Sequence, residues 1–262
     1  MSSFTYLITG ASRGLGFAYS KALLASSSTI RVVATARNPD SATQLQELAK
    51  ANEGRVLVVK LDVSAEQSSK TLAKELENHP FVKDGIDCLV NNAGIAVETF
   101  TDNFLTTSTD KLTKTLQTNV FGPIWVTRAL FPLLERGNGK QLVNVSSSMG
   151  SMESTVPGIV PYYCMSKSAL NMLTRKQAVQ LGKDGYTLTW LVFVFLLPYL
   201  STQQVVSWNP GWVKTEFGGN DGTMGDLTVE EATDLAMKNL FPRLQPENNG
   251  KFLTCEGGFC PW

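Results

Sequence analysis

A glycine-rich stretch near the start of the chain constrains its fold more than any other feature. Residues 9–16 are Thr-Gly-Ala-Ser-Arg-Gly-Leu-Gly, between the apolar run Tyr6–Ile8 and a helix predicted over Phe17–Ala25. Glycine lets the backbone turn sharply and approach a ligand closely. The free N–H groups and the positive dipole end of a helix start attract phosphate. A strand, a glycine turn and a helix start in this order predict a pyrophosphate-binding βαβ unit.

The end of the second predicted strand indicates which dinucleotide this turn binds. In such folds a carboxylate about 20 residues past the glycines binds the ribose 2′-hydroxyl. Here the strand Thr29–Ala36 is followed by Arg37 instead. An arginine suits a 2′-phosphate by its charge and forked geometry, and Arg13 in the turn offers a second cation. We therefore expect NADP(H); the alternative is that both arginines are solvated surface residues.

Strands alternate with helices along the rest of the chain. Further strands are predicted at Arg55–Leu61, Ile86–Val90, Lys140–Val145, Val205–Trp208 and Lys251–Thr254. Helices are predicted at Ser41–Asn52, at Thr109–Glu135 and from Tyr162 to Gly182, and the capping-box spacings Ser64–Gln67 and Thr228–Glu231 indicate two more helix starts. This alternation predicts a single α/β Rossmann domain over 1–262, with a doubly wound parallel sheet of about seven strands.

Composition excludes several classes of function. The 23 basic and 23 acidic residues balance, so nothing points to nucleic acid as a partner. His79 is the only histidine, which argues against a Ser-His-Asp triad and against a metal site. The four cysteines show no CxxC pair, and a strand at residue 6 leaves no room for a signal peptide. We expect a cytoplasmic protein with reduced thiols and no membrane span.

Candidate site residues follow the predicted strand ends. The glycine turn, Asp62, the run Asn91–Gly94 and Ser147 would share one edge of a parallel sheet, where such folds bind ligands. Tyr163 and Lys167 are four residues apart and so lie on one helix face. The ammonium is expected to lower the pKa of the phenol from about 10 towards neutrality, which suits proton transfer. The alternative is a chance pair on a helix surface.

Together these motifs resemble the classical short-chain dehydrogenase/reductases. The glycine turn, Asp62, Asn91-Asn92-Ala93-Gly94, Asn119, Ser147, Tyr163-x-x-x-Lys167 and Asn209-Pro210-Gly211 stand in the order of that family. Within it, Pro210–Thr215 and the ending Gly257–Trp262 are similar to the C-factor and sniffer-like carbonyl reductases. Tyr6–Gly10 is similar, more weakly, to ketoreductases of polyketide pathways.

The resemblance implies the NADPH-dependent reduction of a ketone or aldehyde. Tyr163 would be the general acid, Lys167 would lower its pKa and hold the nicotinamide ribose, and Ser147 would donate a hydrogen bond to the substrate oxygen. Ser147 is chosen among three serines because the family serine lies three residues before a glycine, here Gly150. Asn119 would anchor a water that links Lys167 to solvent. The implied cofactor-binding residues are Gly10, Ser12, Arg13, Gly14, Leu15, Gly16, Arg37, Asp62, Val63, Asn91, Ala93, Gly94, Tyr163, Lys167, Pro210, Gly211, Val213 and Thr215.

The expected substrate is a small apolar or aromatic carbonyl compound. The candidate pocket residues are mostly apolar: Ile95, Val97, Met149, Val156, Trp212 and Phe217. The short segment Lys214–Asp226 predicts an open site, and a homodimer is expected among the partners. The alternative from another class is a catalytically silent nucleotide-binding protein that acts as a sensor or partner.

The segment between the Tyr163 helix and the sixth strand departs from the family. Connections of this kind usually take about 2–6 residues, but this chain carries an extra stretch over about 188–204. It contains the apolar run Trp190–Leu197, far short of the ~18 residues of a membrane span. Three interpretations of this stretch are open. It could add an apolar surface patch, it could compete with Val205–Trp208 for the strand position and so disable the enzyme, or it could be a translated intron. We favour the last, with Val205–Trp208 in the sheet and Trp190–Leu197 outside it.

Overall fold

Seven parallel strands form one sheet in the part of the chain that the structure describes. The structure is a computed structural model, and it describes residues 3–99, 102–153, 160–181, 204–215 and 223–262. The strands are β1 Phe4–Ile8, β2 Ile30–Ala36, β3 Val56–Lys60, β4 Cys88–Asn91, β5 Gln141–Val145, β6 Gln204–Asn209 and β7 Phe252–Thr254. Their order is β3-β2-β1-β4-β5-β6-β7, and each neighbouring pair is parallel. The predicted doubly wound Rossmann sheet is confirmed.

Helices cover both faces of this sheet. They are α1 Gly14–Ser26, α2 Thr43–Ala51, α3 Glu66–Glu77, α4 Thr109–Leu116, α5 Gly122–Arg136, α6 Pro161–Leu181 and α7 Val229–Asn239. One buried cluster joins the sheet to α1, α2 and α7, and a second joins it to α3, α5 and α6. Successive side chains of β1 pack into the two clusters alternately: Tyr6 and Ile8 lie in the first, and Leu7 lies in the second. This two-sided burial is typical of parallel sheets.

The helical stretch predicted over Thr109–Glu135 contains an interruption. A wider π turn, Gln117–Phe121, lies between α4 and α5 and carries Asn119. Pro123 follows closely, and it has no N–H to donate to the carbonyl four residues back, that of Asn119. The α-helical bond to the Asn119 carbonyl is therefore missing at that point, and π turns of this kind occur frequently at functional sites.

One of the two predicted capping boxes is wrong. Helix α3 begins at Glu66, and its N-cap is Ala65, which has no side-chain oxygen to accept from the helix N–H groups. The Ser64 hydroxyl donates to Asp62 Oδ1 at 2.7 Å. The other is confirmed. Thr228 Oγ1 accepts from the Glu231 N–H at 3.1 Å, and Glu231 Oε2 accepts from the Thr228 N–H at 2.7 Å.

The strand that follows the extra segment lies in the sheet as predicted. Strand β6 pairs with β5 on one side and with β7 on the other, so Val205–Trp208 holds the predicted strand position. The alternative in which the apolar run displaces Val205–Trp208 is therefore wrong. The run itself and the predicted helix end at Gly182 lie outside the described residues. Among the described helices, none has the length and apolar character needed to cross a membrane.

A buried hydrogen bond between α1 and β6 yields a stability prediction. Trp208 Nε1 donates to the Tyr19 hydroxyl at 3.2 Å, and both side chains are fully buried. Tyr19→Phe leaves the indole N–H unpaired, so we expect a loss of about 1–3 kcal/mol in the free energy of unfolding. Urea denaturation measures this as a lower midpoint at unchanged slope. The control is Tyr6→Phe in the same cluster, because no described residue hydrogen-bonds that hydroxyl. Equal stability of the two variants would contradict the prediction.

Candidate active site

The glycine turn and the Asn91–Gly94 turn are joined directly at the carboxyl ends of β1 and β4. Thr9 Oγ1 accepts from the N–H groups of Asn92 and Ala93, both at 3.0 Å. Asn92 Nδ2 in turn donates to the Thr9 carbonyl at 2.9 Å. These bonds fix two loops that the sequence only placed at the same edge. The roles of the Thr9 and Asn92 side chains were not predicted, although both residues belong to the motifs that indicated the site.

The glycines of the turn are required by its geometry. Gly10 and Gly14 have positive φ angles of 68° and 55°. A Cβ atom at Gly16 would lie 2.4 Å from the Gly10 carbonyl oxygen, so α1 can approach the turn only without one. Helix α1 starts without a capping side chain and without an acidic residue in its first turn. Its positive end is therefore available to an anion.

A surface pocket of about 420 Å³ brings the two predicted arginines together. It lies between the glycine turn, the end of β2 and the start of α2, and no carboxylate lines it. The lining residues are Ser12, Arg13, Ala36, Arg37, Asn38, Ser41, Ala42, Thr43 and Gln44. Asn38, Ser41, Thr43 and Gln44 were not found from the sequence, because their polar side chains are typical of any turn and helix start.

Ser147 and Tyr163 are in contact across two different elements. Ser147 lies at the start of a short turn after β5, where its Oγ accepts from the Met149 N–H at 3.2 Å. Its side chain is also hydrogen-bonded to that of Tyr163 on α6. The neighbouring hydroxyl of Ser146 is buried and has no hydrogen-bond partner among the residues that the structure describes. Of these two serines, Ser147 is the one in contact with the phenol.

Lys167 lies one helical turn beyond Tyr163, on the same face, as predicted. Its Nζ is 5.6 Å from the centroid of the Tyr163 ring and donates to the Val145 carbonyl at 2.9 Å. Burial lowers the pKa of Lys167 to about 8. Burial also raises the pKa of Tyr163 well above its ordinary value, and the hydrogen bond from Ser147 opposes this only in part. The predicted lowering of the Tyr163 pKa is therefore wrong here, because desolvation of the phenol is the largest effect on that pKa and raises it.

Asn119 ties three parts of the site together. Its Oδ1 accepts from the Ile95 N–H at 2.8 Å, and its Nδ2 donates to the Ile95 carbonyl at 2.8 Å and to Ser166 Oγ at 3.0 Å. The Ser166 hydroxyl donates to the Tyr163 carbonyl at 2.7 Å. The side chain of Asn119 is thus bonded to the loop after Gly94 and to α6. Ser166 was not found from the sequence because one serine in a helix carries no pattern.

The side chains of two residues predicted to bind the cofactor form hydrogen bonds within the protein. Asn91 is buried, and its amide donates to Thr127 Oγ1 at 3.2 Å and to Asn144 Oδ1 at 2.9 Å. The Asp62 carboxylate accepts from the N–H and the hydroxyl of Ser64 at 3.0 and 2.7 Å. The Asn91 side chain therefore joins β4 to β5 and α5, and that of Asp62 shapes the turn before α3.

The segment after β6 closes the same edge. Gly211 has a φ of 83°, and Val213 forms a bridge with Leu227. A Cβ atom at Gly14 would lie 3.9 Å from Thr215 Cγ2, so the glycine turn and this segment face each other. Of the candidate pocket residues, Ile95 and Val97 are half-buried and Trp212 is exposed. Val156 and Phe217 lie outside the described residues.

No metal site accompanies this arrangement within the described ranges. They contain no group of three or more His, Cys, Asp or Glu side chains placed to hold an ion. The chemistry available at this edge is that of a neutral phenol, a serine hydroxyl and a buried lysine beside the glycine turn and the start of α1.

Comparison with known proteins agrees with this architecture. The family model of the short chain dehydrogenases matches residues 5–222. An uncharacterized oxidoreductase of Schizosaccharomyces pombe is 30% identical over 98% of this chain and 97% of its own length. Two solved structures superpose with a TM-score of 0.83 at 30% identity, each covering 100% of both chains. They are the carbonyl reductase Sniffer of Drosophila melanogaster and an NADPH-bound carbonyl reductase from chicken fatty liver.

The chain belongs to the short-chain dehydrogenase family, and it is an oxidoreductase by that membership. The resemblance to sniffer-like carbonyl reductases drawn from the sequence is confirmed by the structural match.

The lowered pKa of Lys167 predicts a pH-dependent stability. Between the folded value of about 8 and the ordinary value of 10.5, the unfolded chain binds a proton that the folded chain does not. Stability from this group therefore rises with pH in that window and is lost below it. We expect the free energy of unfolding of the wild type, relative to Lys167→Met, to rise by about 2 kcal/mol from pH 8 to pH 10. Urea titrations at both pH values measure it, and a pH-independent difference would contradict the prediction.

Proposed function

We propose that the protein reduces a ketone or aldehyde to an alcohol with NADPH, and that Ser147, Tyr163, Lys167 and Asn119 form the catalytic group. The observation that carries the proposal is the hydrogen bond between Ser147 and Tyr163, with Lys167 buried beside them. These side chains lie at the same sheet edge as the anion-binding glycine turn. The carbonyl reductases named above share the fold over the whole chain.

The residues present fit NADP(H). The glycine turn offers backbone N–H groups with no side chain in the way, which suits a pyrophosphate. The pocket with Arg13 and Arg37 has two cations and no carboxylate, which suits a 2′-phosphate better than a ribose hydroxyl. The chicken relative is described as NADPH-bound. When bound, the cofactor supplies the hydride.

The protein's own part of the reaction is to move one proton and to stabilise charge. Negative charge develops on the substrate oxygen during reduction, and in this proposal the Ser147 hydroxyl donates a hydrogen bond to it. The raised pKa of Tyr163 keeps its phenol protonated, which is the state a proton donor needs. After transfer the phenolate is stabilised by the ammonium of Lys167, which lies over the same ring.

Asn119 acts through its neighbours in this proposal. Its side chain holds Ile95 on one side and, through Ser166, the main chain of Tyr163 on the other. The substrate would lie between Ile95, Val97 and Trp212, whose side chains are apolar. This favours a small apolar or aromatic carbonyl compound. The homodimer and the cytoplasmic location stay predictions.

Removing the proton donor tests the reaction. Tyr163→Phe deletes only the phenolic oxygen, so we expect NADPH-dependent turnover of carbonyl substrates to fall about a hundredfold or more. Cofactor oxidation followed by absorbance measures turnover, and fluorescence titration checks that NADPH still binds. Full activity in this variant would refute the mechanism. NADPH binding without any wild-type turnover across a panel of carbonyl compounds would favour the catalytically silent alternative.

Reversing one charge in the arginine pocket tests the cofactor. Arg37→Asp replaces a cation by a carboxylate, which prefers a ribose hydroxyl to a phosphate. We therefore expect NADPH binding to weaken by at least about tenfold and the affinity for NADH to rise relative to that for NADPH. Lys83→Asp is the matched control, because this exposed lysine precedes β4 at the opposite edge of the sheet. Dissociation constants from fluorescence titration decide the matter. Tighter binding of NADH than of NADPH by the wild type would overturn the proposal.

A further inference from the structure

The helix that carries Tyr163 begins without a capping side chain of its own. Val160 directly precedes α6, and its carbonyl accepts the first helical bond, from the Cys164 N–H at 3.1 Å. A residue in this position ordinarily offers a side-chain oxygen to the next free N–H groups, which valine cannot do. Val160 also has a φ of 44°, a left-handed conformation that strains a β-branched residue. The start of this helix therefore depends on contacts from elsewhere in the chain.

Glu98 supplies the missing acceptors. The residue is only 2% exposed, with Oε1 accepting from the Tyr162 N–H at 3.0 Å and Oε2 from the Tyr163 N–H at 2.6 Å. The second of these bonds is made to the main chain of the proposed proton donor itself. A negative charge at a helix start is also favourable, because it faces the positive end of the helix dipole. Hydrogen bonds to a charged group are shorter and stronger than neutral ones.

The loop that carries Glu98 is fixed at its other end as well. Asn119 holds the N–H and the carbonyl of Ile95, three residues before Glu98. The loop therefore runs from the Asn91–Gly94 turn to α6 with both ends bonded. Val97, a candidate substrate contact, lies between these two anchors.

The later turns of α6 are held by independent contacts. The Ser168 hydroxyl and Asn171 Nδ2 both donate to the Gly150 carbonyl, at 2.9 and 3.1 Å, and Lys167 is bonded to Val145. Loss of the Glu98 bonds would therefore loosen the first turn of the helix, with Tyr163, while Lys167 stays in place. That turn would keep the Ser166 bond to the Tyr163 carbonyl and the bond from the Tyr162 hydroxyl to the Thr107 carbonyl, neither of which holds the two amides. Ser147 belongs to the turn after β5, so the phenol would move relative to it.

We propose that Glu98 is a positioning residue for the proposed reaction: by holding the amides of Tyr162 and Tyr163, it sets the phenol of Tyr163 against Ser147 and Lys167. The proposal rests on the proposed function. Glu98 touches no reacting atom in it and acts only through the main chain of Tyr163. A displacement of about 1 Å in such a group is enough to cost a reaction up to a hundredfold in rate.

The test compares Glu98→Gln and Glu98→Ala with a matched change at Asp87. Asp87 is another buried carboxylate, which accepts from the N–H groups of Thr5, Asn138 and Gly139 at 2.7, 2.8 and 2.9 Å. It precedes β4 and so lies at the edge of the sheet opposite the candidate site. Asp87→Asn exchanges one carboxylate oxygen for an amide group, as Glu98→Gln does. Any general effect of weakening a buried carboxylate should appear in both variants.

We expect kcat to fall about tenfold or more in Glu98→Ala, and by less in Glu98→Gln, which keeps one acceptor oxygen. The dissociation constant for NADPH should change by no more than about twofold in both, since the glycine turn and the arginine pocket are untouched. Asp87→Asn should lower the melting temperature and leave kcat as in the wild type. Hydrogen exchange should show loss of protection at the Tyr162 and Tyr163 amides in the Glu98 variants only.

The outcomes separate this proposal from the proposed function. Absence of NADPH-dependent turnover in the wild type overturns both. Wild-type turnover with an unchanged kcat in Glu98→Ala overturns the role of Glu98 alone, as does unchanged protection of the two amides. If Glu98→Ala does not fold, Glu98→Gln is compared with Asp87→Asn. If kcat falls no further in Glu98→Gln than in Asp87→Asn, Glu98 has a merely structural role and the proposal is overturned.

Discussion

The parallel pairing of β1 with β4 is the constraint on which the rest of the candidate site depends. It aligns Ile8 with Val90, so that the chain leaves both strands at the same level. The Thr9 hydroxyl can then accept from Asn92 and Ala93, and the glycine turn becomes fixed to the Asn91–Gly94 turn. Both faces of these strands are buried, so a shift of register by one residue would reverse the two cores. The hydrophobic pattern of the sheet thereby sets the distance between the glycine turn and the Asn91–Gly94 turn.

The second element of the site is α6, and its attachment is electrostatic as well as apolar. A buried carboxylate holds its first turn, a buried ammonium is bonded to β5, and two side-chain donors meet at Gly150. Gly150 itself packs so closely on the helix that an added Cβ would lie 2.6 Å from the carbonyl carbon of Lys167. Tyr163, Lys167 and Ser147 keep their arrangement because each is held by a different strand, turn or loop.

Burial decides the electrostatics of this group. A lysine four residues from a tyrosine suggests a phenol of low pKa, yet the same burial that joins the two side chains raises the pKa of the phenol and lowers that of the amine. A helix pattern shows which residues share a face, but it does not show how much water reaches them. The sequence therefore predicted the pair correctly and the direction of the Tyr163 shift wrongly.

Local chemistry in the sequence was sufficient for the order of strands and helices, the glycine turn and the Tyr163–Lys167 pair, because these follow from short-range rules of periodicity and backbone freedom. The same rules failed at Ser64, whose hydroxyl donates to Asp62 and does not accept from the N–H groups of the helix start. They could not reveal Glu98, Ser166 or the polar wall of the arginine pocket. Glu98 is hydrogen-bonded to Tyr162 and Tyr163, which lie 64 and 65 positions further along the chain. Only the folding of the sheet brings these residues together. The sequence by itself determined which residues could carry the chemistry, whereas the tertiary structure decided which of them meet, since hydrogen bonds and burial depend on proximity in space.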